Sequence, residues 1–390
     1  MYNRNRGHRG RFDSHSRGSK RKISQFRDIS KFINPISDVR IEEKYIPTHT
    51  FSGLSIEESL KKNILAVGYK TLTPIQDQAI IPALENKDVV GIANTGTGKT
   101  AAFLIPLINK VIKDKNQNVI ILAPTRELAL QINQEFVKLG RGLGIFSVCT
   151  VGGMPIYRQI CDLRRKHNFI IGTPGRVKDL IERKCIDLTR FCSIVLDESD
   201  RMLDMGFVQD MKMIMSSMPV NRQTLFLSAT LSPEVQRIIK DFLKDPVQIS
   251  VKSRDTSGNI DQNVVYIKNK QKIDVLHELL QNPELKKVLI FGTTKHGVER
   301  LSEALTSRGF KSDSIHGNKN HNQRQRALRS FKDDSVKILV ATDVAARGLD
   351  IPDVSHVINY ELPATYADYI HRIGRTGRGG KVGKALTLVE

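Results

Sequence analysis

Tryptophan is absent from the 390 residues, aromatic side chains make up only 6% of them, and no apolar run approaches the length a membrane-crossing helix needs. Acidic side chains are also scarce against basic ones: 41 Asp and Glu face 61 Lys and Arg, a formal net charge of +20. The first lack excludes a large aromatic stacking platform, and the missing run excludes a helical span. The charge imbalance favours a polyanionic partner, nucleic acid ahead of anionic membrane because no basic amphipathic helix stands out. Only four cysteines occur, Cys149, Cys161, Cys185 and Cys192. They form no Cys-x-x-Cys pair and have no histidine at zinc spacing, so they read as reduced thiols. The opening MYNRNRGHRGRF lacks the apolar stretch of a secretory signal, which places the chain in the cytoplasm or a nucleus.

What is present divides unevenly. Through residue 31 ten Lys and Arg stand against Asp13 and Asp28, among Gly, Ser, Asn and His. So few apolar residues cannot offset ordering entropy, and residues 1–45 read as a disordered basic tail suited to auxiliary RNA binding. From Phe51 onward, Val/Ile/Leu runs of strand length alternate with helical stretches. DVVGIA, NVIILAP, NFIIGTP, SIVLD and TLFLSAT have the composition of strands buried on both faces, and KKVLIFGTT, VKILVATD and VSHVINYEL repeat the pattern after residue 260. The alternation predicts two tandem α/β domains with parallel sheets, residues 46–250 and 263–390. The polar stretch Asp245–Asn263 interrupts it, with the linker itself at 251–262.

ANTGTGKT, Ala93 to Thr100, sits between an expected strand and an expected helix. Gly96 and Gly98 let the backbone wrap N–H groups around phosphates together with Ala93, Asn94, Thr95 and Thr97. Lys99 supplies charge at the β/γ oxygens and Thr100 a hydroxyl for Mg²⁺. IVLDESD crowds three carboxylates into four residues after an apolar run. The bland reading is a solvated acidic loop. Beside a phosphate loop, Asp197 instead holds Mg²⁺ largely through water, Glu198 activates the attacking water, and Asp200 pairs with the SAT segment, Ser228 and Thr230.

The ordered series TPIQ, ANTGTGKT, PTRELA, GG, TPGR, DESD, SAT, ATDVAARGLD and HRIGRTGR resembles the DEAD-box RNA helicases of superfamily 2, from about Phe51 to the C-terminus. The resemblance implies two RecA-like domains, ATP with Mg²⁺ as cofactors, and local unwinding of short RNA duplexes or remodelling of RNA–protein complexes. It makes Gln76 an adenine reader with Phe51 stacking on the base, Gly348 and Asp350 nucleotide contacts, Arg375 and Arg378 arginine fingers, and His371 a link to SAT. It assigns RNA backbone contacts to Pro124, Thr125, Arg126, Gly152, Gly153, Thr173 and Arg176 in the first domain, and to Thr293, Arg324, Thr342, Asp343 and Arg347 in the second. Small polar groups and arginines suit sugar and phosphate better than bases, so recognition is expected to be sequence-tolerant. The implied partners are single-stranded RNA, short duplexes and ribonucleoproteins, with the enzyme a monomer.

Three positions depart from the family pattern. Ser199 replaces the alanine of DEAD, His321 stands where a glutamine precedes Arg324, and Leu72 replaces a proline before TPIQ. The chain also ends at Glu390 without the final helix that family members often carry. Two other readings share much of this evidence: an ATP-dependent RNA clamp with slow turnover, and a DNA translocase of the wider superfamily, which TPIQ and PTRELA disfavour.

Overall fold

The computed structural model describes residues 45–94, 96–251, 260–346, 351, 353–377 and 382–389. Arg347, Gly348, Asp350, Arg378, Thr95 and the expected tail, save Tyr45, lie outside them. Two parallel sheets organise the chain. The first contains β1 (Val89–Ile92), β2 (Val119–Leu122), β3 (Ser147–Thr150), β4 (Phe169–Gly172), β5 (Ser193–Leu196), β6 (Gln223–Ser228) and β7 (Val247–Ser250), in the order β3-β4-β2-β5-β6-β1-β7. The second contains β8 (Ile260–Tyr266), β9 (Val288–Gly292), β10 (Ser312–Ile315), β11 (Ile338–Thr342), β12 (His356–Asn359) and β13 (Gly383–Val389), in the order β10-β11-β9-β12-β13-β8.

The helices of the first unit are α1 (Glu58–Val67), α2 (Pro74–Leu84), α3 (Lys99–Lys113), α4 (Arg126–Leu139), α5 (Ile156–Leu163), α6 (Pro174–Glu182), α7 (Ser199–Asp204), α8 (Val208–Ser216) and α9 (Pro233–Phe242). Those of the second are α10 (Lys272–Leu280), α11 (Lys295–Ser307), α12 (His321–Lys332), α13 (Asp343–Ala346) and α14 (Tyr366–Ile373). No helix among the described residues is long and apolar enough to cross a membrane.

The period of two in a strand explains why the central runs are apolar throughout. In β2, Val119 and Ile121 join one core with α3 and α4, while Ile120 and Leu122 join another with α6 and α8. All four are fully buried, and truncating one to alanine is expected to cost about 2–5 kcal/mol. The stretch expected as a break at Asp245–Asn263 instead gives an edge strand to each sheet, β7 paired with β1 and β8 with β13. The segment available to join the two units is correspondingly short. Parallel strands place every β-to-α loop at one end of a sheet, and Ala93, Pro124, Gly152, Thr173, Asp197 and Thr342 stand at these strand ends, whereas Gln76, Arg324 and Arg375 do not.

Candidate nucleotide and RNA site

The phosphate loop leaves β1 and enters α3 through two glycines with positive φ, Gly96 (86°) and Gly98 (93°). A Cβ on Gly98 would lie 2.5 Å from Gln76 Nε2, so this position is closed to side chains on two counts. Lys99, 6% exposed, donates from Nζ to Ala93 O at 2.9 Å, and Thr97 Oγ1 donates to Asn94 O at 2.8 Å. Gln76 ties this loop to α2: its Nε2 donates to Gly98 O at 3.1 Å and its Oε1 accepts from Thr73 N at 3.0 Å. An amide has two donor and two acceptor sites, and these bonds use one of each. Phe51, expected to stack on a base, is packed instead into the core beside Tyr69, with 3% of its surface exposed.

Each carboxylate after β5 has its own surroundings. Asp200 accepts from Ala229 N, Thr230 N and Thr230 Oγ1 through Oδ2 at 2.9 to 3.1 Å, which is the expected pairing with SAT. Ser228 Oγ donates to Thr230 O at 2.7 Å and closes that turn. Glu198, with a left-handed backbone (φ 49°), pairs with Arg201 Nη1 at 2.9 Å. Asp197 accepts the Glu198 N–H at 3.0 Å, and burial pushes its carboxyl up to about 6, opposed by the attraction of Lys99. A buried carboxylate held near a lysine and among like charges is a hard-oxygen site suited to Mg²⁺. Ser199 is fully buried and donates to Leu227 O at 3.0 Å, so the hydroxyl added at the family's alanine position is satisfied by β6.

Across from this site, His371 Nδ1 lies 3.1 Å from Arg201 Nη2. The expected link from His371 to SAT is therefore not made: SAT is held by Asp200, and the histidine meets Arg201. Burial and the Arg201 cation push His371 down to about 3, so it is neutral and accepts from the guanidinium. Arg375, 3% exposed, turns its Nε to His371 O at 3.3 Å.

A second feature runs between the domains. Pro124, Thr125, Arg126, Gly152, Thr173 and Arg176 converge on one cavity of about 440 Å³ that Arg324, Gly317 and Val344 of the second domain complete. Thr125 caps α4 by accepting Leu128 N at 3.2 Å, and Arg176 Nη1 donates to Met154 O at 3.2 Å. Gly152 and Gly153 are small because Arg126 lies on them: a Cβ at Gly153 would fall 1.9 Å from Arg126 Nη1.

Three residues expected to contact RNA have protein partners. Arg324 Nη2 donates to Glu127 Oε2 of the first domain at 2.6 Å. Asp343 is gripped by Arg372 through Nε at 2.5 Å and Nη2 at 2.7 Å, and Thr293 bonds to the Glu361 carboxylate. Thr342 is buried at the end of β11. Sequence reasoning passed over Arg201, Glu127 and Arg372, whose partners are fixed only by the tertiary fold. Their charge is visible in the sequence, but the burial that makes a partner obligatory, 2% exposed for Arg201 and 1% for Arg372, is set by the fold.

A DEAD/DEAH box helicase family model matches residues 73–238, and a helicase conserved C-terminal domain model matches residues 271–380. The DEAD-box ATP-dependent RNA helicase CshA of Bacillus subtilis is 45% identical over 346 residues, 88% of this chain and 70% of that protein. The chain spans 65% of the Bacillus cereus protein of the same name, less than two thirds of its length. Saccharomyces cerevisiae Dbp5 bound to RNA and ADP-BeF3 superposes with a TM-score of 0.79 at 32% identity, over 87% of this chain and 89% of that one. Mss116p bound to single-stranded RNA and AMP-PNP gives 0.79 at 32% identity, over 87% and 75%. With both helicase domain models matched in order and 45% identity to a curated relative over most of both chains, the chain belongs to the DEAD-box family of ATP-dependent RNA helicases.

Proposed function

We propose that this chain clamps single-stranded RNA between its two domains in an ATP-dependent manner, separates short duplexes locally, and uses hydrolysis to reopen. The observation that carries this is the buried run Glu198–Arg201–His371, which joins the residue placed to activate water to the opposite domain. Arg201 fixes the orientation of Glu198 when His371 is in place, so water activation depends on closure. Lys99 binds the β/γ-phosphates, and Asp197 with Thr100 holds Mg²⁺, which supplies charge neutralisation on the phosphates. Arg375, with Arg378 beyond the described residues, completes the phosphate site from the second domain. Gln76 favours adenine, with Ala93 to Thr100 cradling the phosphates. RNA lies along the cavity bordered by Arg126 and Arg176, where sugar and phosphate contacts give sequence tolerance.

The test is steady-state ATPase with single-stranded RNA or matched DNA, with and without a chelator of Mg²⁺. RNA is expected to stimulate turnover above DNA, and chelation, Lys99→Ala or Glu198→Gln to abolish it. Tight ATP-dependent RNA binding with turnover at background would replace the helicase reading by the clamp.

A further inference from the structure

The loop carrying Gly152 and Gly153 leads straight into α5, whose inner face is tied down. Gln159 Nε2 donates to Val151 O at 3.0 Å, and Leu163 packs with Val177 and Leu180 of α6 while Ile156 and Ile160 border the same core. The outer face carries no such duty. Tyr157 is 80% exposed and makes no hydrogen bond or ring contact among the described residues. Arg158 beside it is exposed, has no ion pair among the described residues, and stands in the first turn of a helix that has no acidic residue there. A cation in that turn opposes the helix dipole, so Arg158 does not serve α5 itself. Cys161, Arg164, Arg165 and Lys166 continue the exposed surface, with Asp162 offset by Arg165 at 3.4 Å.

This surface is continuous with the RNA cavity. Arg176, which lines the cavity, holds the start of α5 through Met154 O, and Arg183 at the end of α6 lies within electrostatic reach of both Arg176 and the Tyr157 hydroxyl. Arg183 is offset by Asp179 at 2.6 Å, whereas Arg158, adjacent to Tyr157 in sequence, is exposed and has no ion pair among the described residues. Tyr157 lies four positions after Gly153, a reach of at most about 14 Å.

We propose that Tyr157 and Arg158 form an additional subsite for single-stranded RNA beyond the groove, with the ring stacking on a base and the guanidinium meeting its phosphate. This deepens the RNA reading above and rests on it. An exposed π face beside a free cation suits a nucleotide of any base, in keeping with a groove that reads backbone. An acidic peptide would use the arginine but gain little from an exposed tyrosine face.

The experiment is fluorescence anisotropy of the full chain with AMP-PNP and labelled oligouridylates of increasing length. For the wild type, affinity is expected to rise with one further step in length after the groove is filled. Tyr157→Ala should remove that step, a loss of about five-fold or more for long oligomers with short ones unchanged, while Tyr157→Phe keeps it. Arg158→Ala should lower the salt dependence of long oligomers only. Equal weakening at every length, or an unaltered step in Tyr157→Ala, would overturn the subsite while leaving the groove reading intact. Absence of any RNA binding by the wild type would overturn both. An acidic peptide that competes without loss in Tyr157→Ala would overturn the RNA assignment in favour of a protein partner.

Discussion

Gly153 has φ +72°, and its missing side chain leaves room for Arg126 at 1.9 Å from where a Cβ would stand. Gly153→Ala therefore pays twice, with roughly 1–2 kcal/mol of left-handed backbone strain and the displacement of a guanidinium that borders the cavity between the domains. The expected result is a KM for RNA raised about ten-fold or more with kcat at saturating RNA largely kept; an unchanged KM would mean that Arg126 does not act at RNA. Arg201 makes the complementary case. Removing it by Arg201→Ala leaves Glu198 buried without its cation, which is expected to lower stability by about 3–5 kcal/mol in a denaturant melt. Arg201→Lys keeps the charge but has a single nitrogen for two partners, so it should lower kcat more than it raises KM. Equal kcat for Lys and Arg at this position would remove Arg201 from the coupling of closure to catalysis.

The elements that the sequence displayed best are those whose two faces are both covered. β2, β4, β5 and β6 are buried along their length and read as plain apolar runs. The edge strands did not stand out. β3 is SVCT, β7 is VQIS and β10 is SDSI, each with exposed or half-buried residues whose polarity mimics a loop, and β7 falls inside the stretch expected as a break. The site divides on the same physical ground. Lys99, Asp197 and Glu198 bond to residues within a few positions in sequence, whereas the pairing of Arg324 on α12 with Glu127 on α4 spans the two domains and has no local signature. This pair is expected to behave as a unit. Glu127→Gln and Arg324→Met should each lower RNA-stimulated ATPase, and the double variant should lose little more than either single one. Additive losses would instead indicate that Arg324 acts independently, as a direct contact to RNA.

At the scale of the whole molecule, the two domains meet through a histidine that cannot be charged where it sits. Burial pushes His371 down from 6.5 to about 3, the Arg201 and Arg375 cations act in the same direction, and Asp200 and Glu198 offset only part of this. With the domains apart and the ring in water, its ordinary value near 6.5 returns. Between those two values the open form binds a proton that the closed form refuses. The contribution of this contact to closure is complete above about pH 6.5 and is lost as the pH falls, by up to ten-fold in the closure equilibrium per pH unit. Affinity for RNA with AMP-PNP at fixed salt should accordingly fall by close to ten-fold from about pH 7.5 to about pH 5.5. In His371→Gln an amide oxygen accepts from Arg201 without titrating, and the decline over this window should flatten. If that variant followed the wild-type curve, the pH dependence would belong to another group and His371 would be a spectator of closure.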